Sequence, residues 1–574
     1  MAAAMGAGGD RSGTGQAPPP VKRRRRGRII AIVVVVLVLV LGAAGAGGGY
    51  LLLRTKGTPL ETATTYLNAW QKDNYLAMAR VSLHVPAGGL QTPITTVNSQ
   101  LGVKTSSLAL DGVATHGHAA VAKFTVTDIL ASGHYWKYSS QLPLVNQNRR
   151  WWVNWSLATI YPDLRPGERF VITAKWPARA SILSADGTVL SSTQATNESG
   201  SLALLTGYLG VATAKQAKAL GKPYRKGDLI GMSGLEQSYQ KQLAGHPSQT
   251  IKLVGPGKRV DKVAVRFPAK RGKPVKTSIN MTVQLAASAA VSAAKTKKAI
   301  DMVVMQASTG RVLAVVERPG GFDRALQGIF PPGSTFKVIT ASALVKTGLS
   351  PASTVQCPKQ VTIDGRTFHN DDNEHYGTIS FQTAFAVSCN STFVQLATQR
   401  LSGTSLAAMA RTFGFNATPE IGIPATLGHF QTPKDPVDLA ADAFGQGTDL
   451  VNPLSQVGVA AAIDNGTWHP PLLVVSPKMH QRVKPHAINP AILNALRPMM
   501  RAVVTSGTAA GVGFGPGVYG KTGTAEFGNG PHPQAHGWFI GYDGNIAFAV
   551  LVEDGGYGAN SAGPIANSFL RRLP

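Results

Sequence analysis

Three short groups of residues, far apart in the chain, carry side-chain types that together could perform acyl transfer on a serine. The first is Ser334-Thr335-Phe336-Lys337, preceded by Pro331-Pro332-Gly333. The prolines, and the helix-favouring pattern after them, place Ser334 at a helix N-terminus. Positions i and i+3 share a helical face, so the Lys337 amine can reach the Ser334 hydroxyl. A serine hydroxyl is a poor nucleophile without a neighbouring base. A lysine serves as that base once burial and nearby positive charge lower its pKa. The helix N-terminus also offers a backbone N–H to a developing oxyanion. Alone, the Ser-x-x-Lys spacing is a weak signal, since about two or three matches arise by chance in a chain of this size.

The second group is Ser388-Cys389-Asn390. Alternate spacing across a tight loop can point Ser388 and Asn390 into one cleft. The hydroxyl could relay a proton to a leaving amine, and the amide could grip a substrate carbonyl and the lysine. The third is Lys521-Thr522-Gly523-Thr524, after the turn-forming Gly515-Pro516-Gly517. It reads as a strand beside the serine. Gly523 would leave the strand surface bare for an extended peptide. Lys521, with the hydroxyls of Thr522 and Thr524, suits a terminal carboxylate, and the Thr524 N–H suits a second oxyanion donor. This set needs neither a metal nor a cofactor.

Other reactive-looking residues read more plainly. His369, Asp371, Asp372, Glu374 and His375 cluster without a recognised metal spacing and suit a loop at the cleft rim. Gly445-Gln446-Gly447 suits a loop lining the cleft. Cys357 and Cys389 are the two cysteines. They can pair, which would stiffen the second group, or Cys389 can stay a buried thiol. His116 and His118, around Gly117, suit a loop tip.

The elements that must position these groups follow from periodicity. Met302–Gln306 and Arg311–Val316 flank a Ser308-Thr309-Gly310 turn and form a hairpin. Asp543-Gly544 joins Trp538–Tyr542 to Ile546–Val552 in another, and a helix over about 564–572 ends the chain. Strands at both ends with helical sequence between them imply an antiparallel sheet with helices packed on its faces. An Ala- and Lys-rich helix over about 283–298 leads in. Earlier, Thr58-Pro59-Leu60-Glu61 reads as a capping box opening a helix whose Leu60, Ala63, Leu67 and Trp70 share a face. From about 107 the period becomes two. Asn146-Gln147-Asn148 reads as a hairpin turn, and Trp151, Val153 and Trp155 share the buried face of the next strand. Helices followed by a curled sheet describe a small α+β cone.

Length and composition agree with a multidomain extracytoplasmic protein. The chain has 574 residues, 44% hydrophobic and 15% charged, which is globular and too long for one core. Its net charge of +27 points to a polyanionic neighbourhood. A basic run, Lys22–Arg26 and Arg28, precedes the uncharged stretch Ile29–Leu53. This is long enough for a spanning helix. The basic flank stays cytoplasmic, so residues 1–28 form a disordered cytoplasmic tail, 29–53 a single-pass anchor, and the remainder lies outside. A cleaved signal peptide is the alternative. This topology argues against nucleic acid. The basic run from Lys258 to Lys276 suits a solvated face or contact with wall polymers.

Serine-lysine, serine-asparagine and lysine-threonine-glycine, in that order, form the signature of penicillin-binding proteins and class A β-lactamases. The surrounding words, Pro332–Lys337, Ser388–Phe393, Lys521–Glu526 and His536–Gly541, resemble the transpeptidase domain of class B penicillin-binding proteins over 297–574. Gly231–Glu236, and more distantly Pro177–Gly187, resemble their pedestal or dimerisation domain, over 166–296. There, Ala180, Ser184 and Ala185 depart from the family's glycine, aspartate and arginine. Trp152–Leu164 resembles the nuclear-transport-factor-like N-terminal domain of the members related to methicillin resistance, over 57–165.

The resemblance implies a multidomain α+β architecture with a β-lactamase/transpeptidase-like catalytic domain, its antiparallel sheet carrying helices on both faces. It implies a peptidoglycan D,D-transpeptidase that forms an acyl-enzyme on Ser334 with a D-Ala-D-Ala stem peptide, with Lys337, Ser388, Asn390 and Lys521 as the catalytic set. Implied partners are β-lactams as inhibitors, a glycosyltransferase, and divisome or elongation proteins. A class A β-lactamase needs a Glu-x-x-x-Asn loop between the last two motifs. The sole glutamate there, Glu420, is followed by Ile421-Gly422-Ile423-Pro424 and fails the pattern. A carboxypeptidase shares the same residues. A scaffold or β-lactam sensor would not need all three motifs intact, and a sensor needs a cytoplasmic output module.

Overall fold

The computed structural model describes residues 55–190, 200–321, 323–528 and 534–574. The expected tail and membrane anchor, 1–53, lie outside them. Among the described residues no helix is long and apolar enough to cross a membrane. The described chain falls into two compact units: residues 55–172 with 251–265, and residues 173–250 with 266–574.

In the first unit the capping box forms as written. Thr58 Oγ1 accepts from Glu61 N (3.1 Å), and Glu61 Oε2 accepts from Thr58 N (2.9 Å), opening helix Pro59–Gln71. Its buried stripe is Ala63, Tyr66, Leu67 and Trp70. Leu60 does not join it: it is 53% exposed, because the stripe starts one turn further in. Four antiparallel strands, Val103–His116, Ala119–Leu130, Tyr135–Gln147 and Arg150–Asn154, form the sheet, with Ser82–Leu83 added in parallel at the edge. Trp151, Val153 and Trp155 are buried. The hairpin turn comes two residues later than the sequence suggests. Asn148 and Arg149 both adopt positive φ (54° and 62°), and Gln147 pairs with Arg150. A two-residue turn with both residues left-handed matches the twist of the flanking strands. His116 and His118 flank the tip at Gly117.

The second unit is built on a five-stranded antiparallel sheet. Its order is Arg311–Arg318, Ile300–Gln306, Ile546–Val552, Gln534–Asp543, Val518–Phe527. Met302, Val303, Val304 and Met305 are all fully buried in succession. Since successive side chains point to opposite faces, both faces are covered. Helix Pro453–Asn465 packs on the three central strands, and helices Met281–Ser292 and Ala562–Leu570 pack together against the sheet. The lead-in helix stops at Ser292, short of the expected 298. The Arg318 guanidinium takes the carbonyls of Val291 (2.7 Å), Ala294 (3.2 Å) and Thr296 (2.5 Å), satisfying the acceptors that a helix end leaves open.

Residues of the 166–296 stretch fall in both units. Residues 251–265 group with the first unit, while Ile182, Leu190, Leu202, Leu205, Leu235, Leu243, Val275 and Ile279 share the core of the second. Its two family-like phrases meet: Arg179 Nη2 lies 2.5 Å from Glu236 Oε2 and donates to the Glu236 carbonyl (3.0 Å). Most of the basic run Lys258–Lys276 is exposed. Within the first unit Lys262 pairs with Asp163 at 2.5 Å.

Candidate active site

Ser334 lies in a 3-10 turn, Gly333–Phe336, that runs directly into helix Lys337–Val345. In a 3-10 turn residues i and i+3 eclipse, so Lys337 Nζ sits 2.9 Å from Ser334 Oγ. The turn is braced from behind. Thr335 Oγ1 donates to Pro332 O (2.7 Å) and accepts from Gln456 Nε2 (2.7 Å), and Trp538 Nε1 donates to Pro331 O (3.0 Å).

The second group lies between two helices. Helix Phe381–Ala386 ends with Ser388 in the left-handed region (φ 61°), and helix Asn390–Arg400 begins two residues on. That reversal turns Ser388 and Asn390 toward the same amine. Lys337 Nζ contacts Ser388 O (2.6 Å), Ser388 Oγ (3.1 Å) and Asn390 Oδ1 (2.5 Å). The other end of the Asn390 amide donates to His369 O and Asp371 Oδ1, both at 3.1 Å. The acidic loop expected at the rim therefore holds Asn390 in orientation. A disulfide, Cys357–Cys389, joins strand Thr354–Cys357 to this turn. Among the described residues no group of three His, Cys, Asp or Glu side chains is placed to hold a metal ion.

The third group lies on the edge strand Val518–Phe527. Lys521 Nζ donates to Ser388 Oγ (2.9 Å), so Ser388 bridges the two lysines. Thr522 Oγ1 is 2.6 Å from Thr508 Oγ1. Gly523 has a different task from the one its sequence suggests. A Cβ there would lie 2.8 Å from Thr335 Cγ2 and 3.0 Å from Pro332 O. The glycine faces the nucleophile turn and lets the strand close on it; it does not clear a surface for peptide. Gly445 does the same from the other side. Its carbonyl accepts from Gly333 N (3.0 Å), and a Cβ on it would lie 2.0 Å from Gly333 O.

Both lysines are fully buried. Burial pushes the Lys337 amine down to about 7, with the Asp371 charge opposing the shift. Burial, and then the neighbouring charge of Lys337, push Lys521 well below the ordinary lysine range. Two ammonium groups sharing one hydroxyl in a dry pocket cannot both hold their protons cheaply, which is what a base next to a nucleophile requires.

Ser334, Lys337, Ser388, Asn390 and Lys521 thus come together, with Thr522, Gly523 and Thr524 along the adjoining strand. Sequence reasoning missed Gln456, Thr508 and the grip of Asp371 on Asn390. Gln456 and Thr508 sit in ordinary helical and turn sequence and carry no spacing signal. Asp371 stood out only as one member of an acidic cluster.

Three family models match in order: an NTF2-like N-terminal transpeptidase domain at 58–168, a penicillin-binding protein dimerisation domain at 193–277, and a penicillin binding protein transpeptidase domain at 301–571. The peptidoglycan D,D-transpeptidase PbpA of Mycolicibacterium smegmatis is 32% identical over 316 residues, 44% of this chain and 62% of that one. PbpA of Mycobacterium tuberculosis is 29% identical over 345 residues, 50% of this chain and 68% of that one. The chain thus spans roughly two thirds of the length of these relatives. Two solved structures share the fold. The Helicobacter pylori PBP2 complex with MreC gives a TM-score of 0.61 at 17% identity, covering 71% of this chain and 99% of that one. Pseudomonas aeruginosa PBP2 gives 0.58 at 24% identity, covering 70% and 96%. Three domain types of the penicillin-binding proteins thus follow one another in this chain, and three intact motifs surround one serine.

Proposed function

We propose that this protein is a peptidoglycan D,D-transpeptidase. The observation that carries the reading is the set of four contacts around Lys337 Nζ. A neutral amine has two hydrogens and one lone pair. Ser388 O and Asn390 Oδ1 are carbonyl oxygens and take the two hydrogens. The lone pair is left for the Ser334 hydroxyl to donate to, at 2.9 Å. The amine, held near pKa 7, is then the general base.

Ser334 Oγ attacks the carbonyl of the penultimate D-alanine and passes its proton to Lys337. The backbone N–H groups of Ser334 and Thr524 receive the oxyanion. The C–N bond to the terminal D-alanine breaks, and its nitrogen takes a proton through Ser388 Oγ, which touches both lysines. The substrate's terminal carboxylate lies toward Lys521 and Thr522, and its charge lets Lys521 keep a proton while Lys337 stays neutral. An acceptor amine then attacks the Ser334 ester, gives up a proton, and restores the hydroxyl. β-Lactams acylate Ser334 by the same attack, and their ester persists because the chain lacks the glutamate loop that activates water.

Residues 29–53 anchor the protein in the cell membrane, with the N-terminus cytoplasmic and the catalytic unit outside, where peptidoglycan lies. This reading rests on the basic run before an uncharged stretch. It places the protein with a glycosyltransferase and with divisome or elongation partners; the Helicobacter pylori PBP2 structure is itself a complex with MreC. Labelling with a fluorescent penicillin tests the function. Native protein should label covalently and Ser334→Ala should not. Label retained by Ser334→Ala would remove Ser334 as the nucleophile.

A further inference from the structure

Among the described residues, strand Val518–Phe527 is the last strand of its sheet and pairs on one side only, with Gln534–Asp543. In an antiparallel ladder, alternate residues turn their N–H and C=O outward. Glu526 belongs to that outward set, and so do Thr524 and Thr522. The outward groups of Glu526 are already taken. Gln446, half-buried in the loop that backs the nucleophile turn, sets its carboxamide against them. With the amide assigned in the orientation that satisfies both backbone groups, its nitrogen donates to Glu526 O (3.3 Å) and its oxygen accepts from Glu526 N (3.0 Å); the opposite orientation would leave only a 3.5 Å contact with Thr524 O. One side-chain amide thus occupies the two bonds that the backbone of an added strand would make. The loop cannot easily withdraw, because Gly445 is pinned to Gly333 at 3.0 Å and Thr448 N donates to Asp442 Oδ1 at 2.7 Å.

We propose that Gln446 is a specificity residue that ends the donor-peptide track, stopping backbone pairing at Thr524. The inference rests on the transpeptidase reading. There the substrate carboxylate lies toward Lys521 and Thr522, so the acyl part of the donor runs the other way, toward Glu526. With Gln446 in place, a donor pairs at Thr524 and its further residues must leave the strand edge. The carbonyl presented to Ser334 is then set by one register.

The test uses the full-length protein and two thioester donors, N-acetyl-D-alanyl thioglycolate and a tetrapeptidyl thioglycolate ending in D-alanine. Ser334 attack forms the ester and breaks the C–S bond, releasing thioglycolate, and the acyl adduct is followed by intact mass. Gln446→Ala should raise the rate ratio of long to short donor about tenfold, since the long donor gains two backbone bonds. Gln446→Asn, which keeps an amide but retracts it by one methylene, should move the ratio the same way and guards against a misfolded alanine variant. An unchanged ratio, or an equal fall for both donors, would make Gln446 a strand brace and overturn the proposal. No Ser334 adduct from either donor in the native protein would instead sink the transpeptidase reading beneath it.

Discussion

The two units bury their large side chains to opposite ends. The first packs aromatic rings edge to face: Tyr66 on Trp70 (6.1 Å, 83°), Trp70 on Phe124 (6.0 Å, 65°), and Trp136 on Phe170 (6.1 Å, 78°). Each such ring adds stability through area and geometry. The second unit buries two lysines completely. A buried ammonium costs free energy unless it is paired or neutralised. Here the surroundings are hydroxyls and carbonyls, with one carboxylate, Asp371, acting through space. Burial in the first unit is spent on packing, and burial beside Ser334 is spent on holding an amine neutral. Substitutions should therefore separate stability from activity according to the unit they touch.

The sharpest separation is expected from Lys337→Met. Removing the base should slow acylation by a β-lactam about 10⁴-fold, the upper range for a positioned acid or base. The melting temperature should stay within a few degrees, because relief of desolvation offsets the donors lost to Ser388 and Asn390. A large drop in melting temperature would show that the lysine is structural. Trp136→Ala should do the reverse. It should destabilise the first unit by about 3–5 kcal/mol and leave the acylation rate within about twofold of native. Calorimetry and stopped-flow acylation read the two quantities, and a matching loss of acylation would break the division. Gly523→Ala is the finer probe. Its methyl would press on Thr335 and Pro332, shift the strand from the nucleophile, and lower acylation about a hundredfold with a modest loss of stability.

The site was more legible than the frame around it. The spacings at Ser334, Ser388 and Lys521 are fixed by chemistry, and short motifs survive any choice of loop between them. The first-unit strands were legible because one face is buried, which writes a period of two into the chain. Turn position was not, since Asn146-Gln147-Asn148 and Asn148-Arg149 are both turn-like and the cross-strand register decides between them. The role of Gly523 was misread for a related reason. A bare strand and a close approach both call for glycine, and only Thr335 and Pro332, nearly two hundred residues earlier, show which applies. The lead-in helix ended early because of Arg318, a residue beyond any local window. Ile182, Leu235 and Val275 share a core with residues of the 297–574 stretch, a contact that no local phrase reveals.

Lys337, neutral near physiological pH, deprotonates Ser334. A lysine pushed down to about 7 is protonated and inactive below that pH and free to accept a proton above it. The rate constant for acylation by nitrocefin, measured by stopped flow from pH 5 to 9, should climb about tenfold per unit below pH 7 and level off above. A profile that is flat across that range, or that falls as pH rises through 7, would contradict it.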